Sequence, residues 1–428
     1  MALNQGLPRS PTSVSINHVG LLGFLVAVFW LNHNGQKLSQ LDGAVIALLA
    51  LAVPILLLEI CLLRTPWRPS TGLALGRRQP VALPRVLVKL VGLAVTLGAG
   101  ALIYWVFPEY QGGFYGPYFT LLRALAPWFL ALVVPYFLLV DSRMIEPRDG
   151  YWQLGMRVLG QGGNAGSHLL GQHFLGWGVK LFFLPLMFVY LVGNLQGLRG
   201  TELATLGAGF GRVYDFAYQL IFSIDLAFVV MGYLLTLRLF DSHIRSTEPT
   251  FLGWGVALLC YEPFWSLFSS AYFAYQRGGS WMATFARHPL LAGLWGCAIL
   301  ALLGVYVQAT VMFGLRFSNL THRGILTCGP YRFTKHPAYV AKNLAWWLIH
   351  FPLLDLSAGP QVILRQVLLL LGINFVYFLR ARTEERHLSQ DPDYDRYAEW
   401  IGEHGLFRLV GRLLPVLRYR KGKLFNSG

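Results

Sequence analysis

The sequence predicts an all-α, polytopic integral membrane protein of about ten transmembrane helices with a helical-hairpin module at its C-terminal end. Three observations predict it. Hydrophobic residues make up 55% of the 428 and charged residues 13%, with a mean hydropathy of +0.50, more apolar surface than a water-soluble domain of this length needs for its core. Apolar stretches long enough to cross a bilayer recur along the chain. The basic residues fall unevenly on the loops between those stretches.

Residues 1–16 are polar and contain Ser and Pro, with no basic region leading into a cleavable apolar core, so they do not read as a signal peptide. Crossing helices are expected near 17–32, 43–63, 84–107, 115–140, 169–195, 214–237, 251–274, 289–315, 338–353 and 361–379. The first and ninth are short. If all ten cross, one set of loops holds Arg64, Arg68, Arg77, Arg78, Arg143, Arg148, Arg157, Arg238, Arg245, Arg316, Arg323, Arg332 and Lys335, and the other only Lys37, Arg199, Arg212, Arg277 and Arg287. Both termini and the more basic face are therefore expected to be cytoplasmic.

The net charge of +15 comes from these scattered loop residues and a basic tail. With no basic stripe or base-stacking module, nucleic acid is not an expected partner; the lipid bilayer is. The tail, 406–425, interleaves Leu, Val and Phe with Arg and Lys, the pattern of a segment lying on an anionic leaflet. Cys61, Cys260, Cys297 and Cys328 have neither metal-ligand spacing nor the density of a disulfide scaffold, and three of them, lying in apolar stretches, read as buried thiols. No metal is expected. Two loops on the basic face begin alike, Asp141-Ser-Arg-Met and Asp241-Ser-His-Ile, with Glu146-Pro147 and Glu248-Pro249 following; chance similarity in helix-exit loops explains them better than duplication does.

Acids inside apolar stretches are costly and face a partner or a cavity. Glu59, Asp225 and Glu262 are in this position, for interhelical hydrogen bonds or for a substrate pocket, with Glu262 a candidate substrate contact.

The polar residues richest in chemistry lie between Gly324 and Trp400. Pro337 suits the first turn of a helix, which places His336 at a cap with free backbone donors suited to a carboxylate or phosphate. Tyr339 and Asn343 share a helical face, and Lys342 lies three residues beyond Tyr339. Across a hairpin, Arg380, Glu384 and His387 fall at spacings of four and three on one face, with Glu385 about 100° round from Glu384. A second pair, His288-Pro289, lacks the Tyr and the Arg/Glu helix and reads as an ordinary helix start on the opposite face.

The order Gly329-Pro330-Tyr331, Lys335-His336-Pro337-Ala338-Tyr339, Arg380, Glu384-Glu385 and Tyr394-Asp-Arg-Tyr397 resembles the isoprenylcysteine carboxyl methyltransferase and phospholipid methyltransferase superfamily, over the last quarter to third of the chain. The resemblance implies an N-terminal bundle over 1–300, a methyltransferase-like module over 301–428, and S-adenosylmethionine (SAM) as cofactor. It implies cofactor contacts from Tyr331, His336, Pro337, Tyr339, Asn343, Glu384 and Glu385. Arg380, Glu384 and Tyr339 would stand nearest the reaction, and Arg380, with Arg382 and Lys335, would hold a polar or acidic end of a lipophilic or small methyl acceptor. Lys335 stands where the family usually has Arg, and Ala341-Lys342 where it often has a Gly-like step. Two other readings stay open: an NADPH-dependent membrane reductase of the sterol reductase type, against which Pro337 and the Glu384-Glu385 pair weigh, and a non-enzymatic lipid-binding or transport protein, which leaves the clustering of polar motifs on one face unaccounted for.

Overall fold

The computed structural model describes residues 7–76, 80–162, 166–268, 280–351, 359–413 and 419. Among them, eight helices are long and apolar enough to span a membrane. They are α1 (Val14–Asn34), α2 (Gln40–Cys61), α3 (Leu83–Val106), α4 (Gly116–Asp141), α6 (Ser167–Gly200), α7 (Phe210–Leu234), α11 (Pro289–Met312) and α13 (Pro360–Leu388). Shorter helices are α5 (Gly150–Val158), α8 (Phe251–Leu258), α9 (Phe264–Phe268), α10 (Trp281–Thr284), α12 (Pro337–Ile349), α14 (Pro392–His404) and α15 (Arg408–Leu413). The protein is thus an all-α polytopic membrane protein.

Local chemistry sets these boundaries. Pro289, Pro337, Pro360 and Pro392 each open a helix, where the missing N–H is no loss. Ser39 accepts from the Asp42 amide at 3.1 Å to cap α2, and Asp149 and Asp391 cap α5 and α14 in the same way. The centre is α6 and α7, in which Phe183–Val189 and Ser223–Tyr233 are buried without a break, as expected of helices enclosed on all sides. On α1, a Cβ at Gly23 would lie 2.2 Å from the Ala50 carbonyl oxygen, so the bare backbone allows α1 and α2 to touch.

Two of the ten expected crossings differ. The stretch 251–274 is not one helix: α8 stops at Leu258, five residues before Pro263, and the short α9 begins at Phe264. Residues 269–274 of that stretch lie outside the described residues; beyond them, the Trp281 ring sits 5.0 Å from Tyr214, at the opposite end of α7 from Tyr233. The ninth crossing is α12, whose 13 residues extend about 20 Å, short of an apolar layer about 30 Å thick. By contrast α13, with 29 residues, is about 43 Å long and carries its last turns out of that layer.

The expected clustering of basic loops is present as a folded polar cap at one end of the bundle. Arg68 and Arg245 reach buried Asp241, at 3.6 and 3.5 Å, and Arg316 is bidentate with Glu59, at 2.6 and 3.0 Å. Strand β1 (Ser246–Thr247) pairs antiparallel with β2 (Thr321–His322), joining the loop after α7 to the loop after α11. The N-terminal segment docks here too, through Thr327 to the Pro8 carbonyl at 2.8 Å. Residue 300 lies within α11, so the two parts expected from sequence share that helix.

Glu59 pairs from α2 with Arg316 of the loop after α11, and Asp225 makes an interhelical contact, accepting from Tyr306 at 2.7 Å and Thr310 at 2.5 Å. Cys61 and Cys297 are exposed on the outside of the bundle and not buried as expected, because in a membrane an apolar side chain is as well solvated by lipid as by protein. Of the basic tail, 414–418 and 420–428 lie outside the described residues, as do Arg77, Arg78 and Arg277.

Candidate active site

His336 is the N-cap of α12 and Pro337 its first residue, as the sequence predicts. His288 and Pro289 open α11 with nearly the same cap conformation, φ −130° against −129°, at the other end of the bundle. The local geometry is thus common to both His-Pro pairs, and the surroundings distinguish them.

A cavity of about 110 Å³ lies where α12 and α13 enter the cap. From α13 it is lined by Arg380, Thr383, Glu384, His387 and Leu388, one continuous face at helical spacing. Tyr331, Lys335, His336, Tyr339 and Lys342 line it from the turn before α12 and from α12 itself. Tyr261, Tyr306, Phe313, Phe317 and Tyr377 supply an aromatic wall. An adjoining cavity of about 60 Å³ shares part of this lining, Tyr331, Lys335, His336 and Glu384 included, so these residues are among those that stand between two chambers.

The two neighbouring glutamates are used differently. Glu384 accepts from the Tyr339 hydroxyl at 2.7 Å, lies 3.8 Å from His336 Nδ1, and is 39% exposed towards the cavity. Glu385 is 4% exposed and faces away: it accepts from His336 Nε2 at 3.1 Å and from Arg382 at 2.9 Å, and it pairs with Lys335. The His336 and Tyr339 rings lie parallel, 5.4 Å apart. Arg380 donates to the Asn319 side-chain oxygen at 2.7 Å, with its guanidinium 5.1 Å from the Tyr339 ring centre and 5.6 Å from that of Tyr261. Burial, with Glu384 and other acidic groups nearby, raises the Tyr331 phenol well above its ordinary value and keeps it a proton donor.

Of the residues expected at the site, Tyr331, Lys335, His336, Tyr339, Arg380 and Glu384 line this cavity. Pro337, Asn343, Arg382, Glu385 and Glu262 are not among its lining residues. Asn343 donates back to the Tyr339 carbonyl at 2.8 Å, and Arg382 is engaged with Glu385. Glu262 accepts from the Ser266 amide at 3.1 Å, as a local cap for α9. Sequence reasoning missed Glu248, Asn319 and Thr383. Thr383 could have been found, since it is three residues from Arg380 on the same face; nothing in spacing points to the other two. Among the described residues, no group of three or more His, Cys, Asp or Glu is placed to hold a metal ion.

No curated protein and no solved structure matches the chain. Residues 291–390, which run from the start of α11 past the end of α13 and carry the Lys335 to Tyr339 turn and the Arg380 to Glu385 face, match the model of the isoprenylcysteine carboxyl methyltransferase (ICMT) family, so the C-terminal part of this membrane protein is similar to a family of methyltransferases.

Proposed function

We propose that the protein is a membrane-embedded, SAM-dependent methyltransferase acting on a lipophilic or small acceptor drawn from the bilayer, with the cap and both termini in the cytoplasm. The observation that carries this reading is a single cavity lined by Tyr339, Arg380 and Glu384 of the family-matched hairpin and, opposite them, by an aromatic wall. The residues present fit the cofactor. Glu384 keeps carboxylate capacity beyond its Tyr339 bond for an ammonium group, the His336 and Tyr331 rings offer faces for a base, and two chambers with a shared wall suit a ligand with two unlike ends.

SAM supplies the methyl group on a sulfonium, from which transfer is an in-line displacement with positive charge leaving the sulfur. The chain's own part is alignment and exclusion of water. Arg380, buried among Tyr261, Tyr339 and Asn319, would hold an acidic end of the acceptor. A carboxylate or thiolate acceptor needs no base. An amine, phenol or thiol would have to give up a proton, for which a carboxylate or Tyr beside the cavity would be the acceptor.

The test is thermal shift and calorimetry on detergent-purified protein with SAM, S-adenosylhomocysteine and NADPH in parallel. SAM and S-adenosylhomocysteine are expected to stabilise it in proportion to the logarithm of ligand excess over Kd. Stabilisation by NADPH alone would overturn the reading in favour of the reductase.

A further inference from the structure

Glu248 follows strand β1, more than forty residues before the family-matched stretch, yet it lines the same cavity as Tyr339, Arg380 and Glu384. Its position is fixed through its backbone. The Glu248 amide donates to the Leu320 carbonyl at 2.8 Å, continuing the β1–β2 pairing, and its carbonyl accepts from the Trp254 indole at 2.8 Å.

The side chain is 3% exposed. Its Oε1 is fully engaged, by the Thr250 amide at 3.0 Å, the Thr250 hydroxyl and Arg386 at 2.9 Å. Its Oε2 is buried without a hydrogen-bond partner among the described residues. A buried carboxylate oxygen carries a strong acceptor's desolvation cost, which a donor on a bound ligand would offset. The space for this carboxylate depends on Gly253, also at the cavity wall, where a Cβ would lie 2.4 Å from Glu248 Cγ and 2.7 Å from Cδ.

We infer that Glu248 is a ligand-binding residue of the active site, supplied by the N-terminal part of the chain, whose Oε2 accepts a hydrogen bond from a ribose hydroxyl of the cofactor. The inference rests on the SAM reading above. Arg386 already balances the charge of Glu248 from the Oε1 side, so what remains at Oε2 suits a neutral hydroxyl donor. Among the described residues Glu384 has no such full ion pair, with only His336 as a basic group within 4.0 Å, at 3.8 Å, and it is the better partner for an ammonium. The short β1–β2 ladder thereby acquires a function: it sets the register that brings an acid from the loop after α7 to a site built mainly by α12 and α13.

The test is calorimetry on the full, detergent-solubilised chain with S-adenosylhomocysteine and its 2′-deoxy and 3′-deoxy forms. The native protein is expected to bind at least one deoxy form about tenfold or more weakly than the parent, in line with loss of a hydrogen bond to a charged group. Glu248→Ala is expected to bind parent and deoxy form equally, and Gly253→Ala, which displaces the carboxylate, to lose most of the discrimination. Equal affinities for all three ligands on the native protein would overturn the inference and leave the cofactor reading standing. Discrimination that survives in Glu248→Ala would also overturn it, by assigning the hydroxyl to another residue. A native protein that binds no S-adenosylhomocysteine removes the cofactor reading itself, and this inference with it. The deoxy comparison needs no variant, so a variant that fails to fold does not spare the proposal.

Discussion

His336 Nε2 lies 3.1 Å from Oε1 of Glu385, and this contact locks the start of α12 to the last turns of α13 across 49 residues of chain. The adjacent Glu384 meets His336 only at 3.8 Å and spends one bond on Tyr339. One glutamate therefore holds the hairpin closed and its neighbour faces the cavity.

The two Gln variants should separate accordingly. Glu384→Gln keeps shape and hydrogen bonding while removing charge, and is expected to weaken SAM binding by about 1.5–3 kcal/mol, roughly ten- to a hundredfold, with little change in the unfolding midpoint. Glu385→Gln leaves Lys335 and Arg382 without their carboxylate and is expected to cost about 1–3 kcal/mol of stability. Calorimetry with SAM and thermal unfolding, run on both variants, check this. Identical behaviour of the two would contradict the division of labour.

Arg316 is a second locking residue, and a costlier one to remove. It is 2% exposed, bidentate with Glu59, and donates to the backbone oxygens of Asp241 and Phe240, both at 3.1 Å. Arg316→Met leaves Glu59 buried and unpaired, for an expected loss of about 3–5 kcal/mol. Arg396→Met, which removes an ion pair with 65% of the arginine side chain exposed, should change stability by less than about 0.5 kcal/mol. Unfolding midpoints in one detergent compare the two.

Much of this was legible in the sequence, for reasons that also mark where legibility ends. Composition and period suffice for eight of the ten expected spans, because the bilayer imposes length and apolarity. The face containing Arg380, Glu384 and His387 follows from 3.6 residues per turn and does line one cavity. The break between α8 and α9 was not legible from Pro263, since Pro54, Pro127, Pro135 and Pro185 stand inside helices that continue through them. Sequence left Glu59 between a structural and a pocket role, and its partner Arg316 stands 257 residues away, where no periodicity reaches. The two similar loops show the same limit. Asp141 and Asp241 are both buried and held by basic side chains, while Glu146 is exposed and Glu248 is buried at the cavity.

Stability of the cap should fall with acid in a definite window. Burial, with Arg245 nearby, lowers the His322 pKa to about 4, and burial among Arg238, Arg245, Arg323 and Arg316 lowers that of His243 to about 3. Asp391 faces His322 at 3.2 Å and opposes the shift without reversing it. Both imidazoles are neutral when folded and bind protons near pH 6.5 when unfolded, so between pH 6.5 and about 4 the unfolded chain holds more protons. Stability is therefore expected to decline as pH falls through that window and to level off below about pH 3 as far as these two groups are concerned. Replacing His322 with Gln should flatten the upper part of the decline in thermal unfolding measured from pH 7 to 4.

The last prediction concerns the side of the membrane on which the cap lies. Arg64, Arg68, Arg143, Arg238, Arg245, Arg316 and Arg323 all belong to loops of the capped end, whereas Lys37, Arg199, Arg212 and Arg287 belong to the other end. Loops this short obey the retention of Lys and Arg on the cytoplasmic side, so the cap and the cavity opening into it are expected to face the cytoplasm. Arg396 on α14 is exposed and lies outside the cavity, and Glu202, in the loop between α6 and α7 at the other end, is exposed as well. In a background with the four native cysteines replaced by Ser, Arg396→Cys should resist a membrane-impermeant maleimide applied to intact cells and react after permeabilisation. Glu202→Cys should react without permeabilisation. The reverse pattern would place the cavity on the outer face, where cytoplasmic SAM does not reach it, and the methyltransferase reading would lose its cofactor supply along with its orientation.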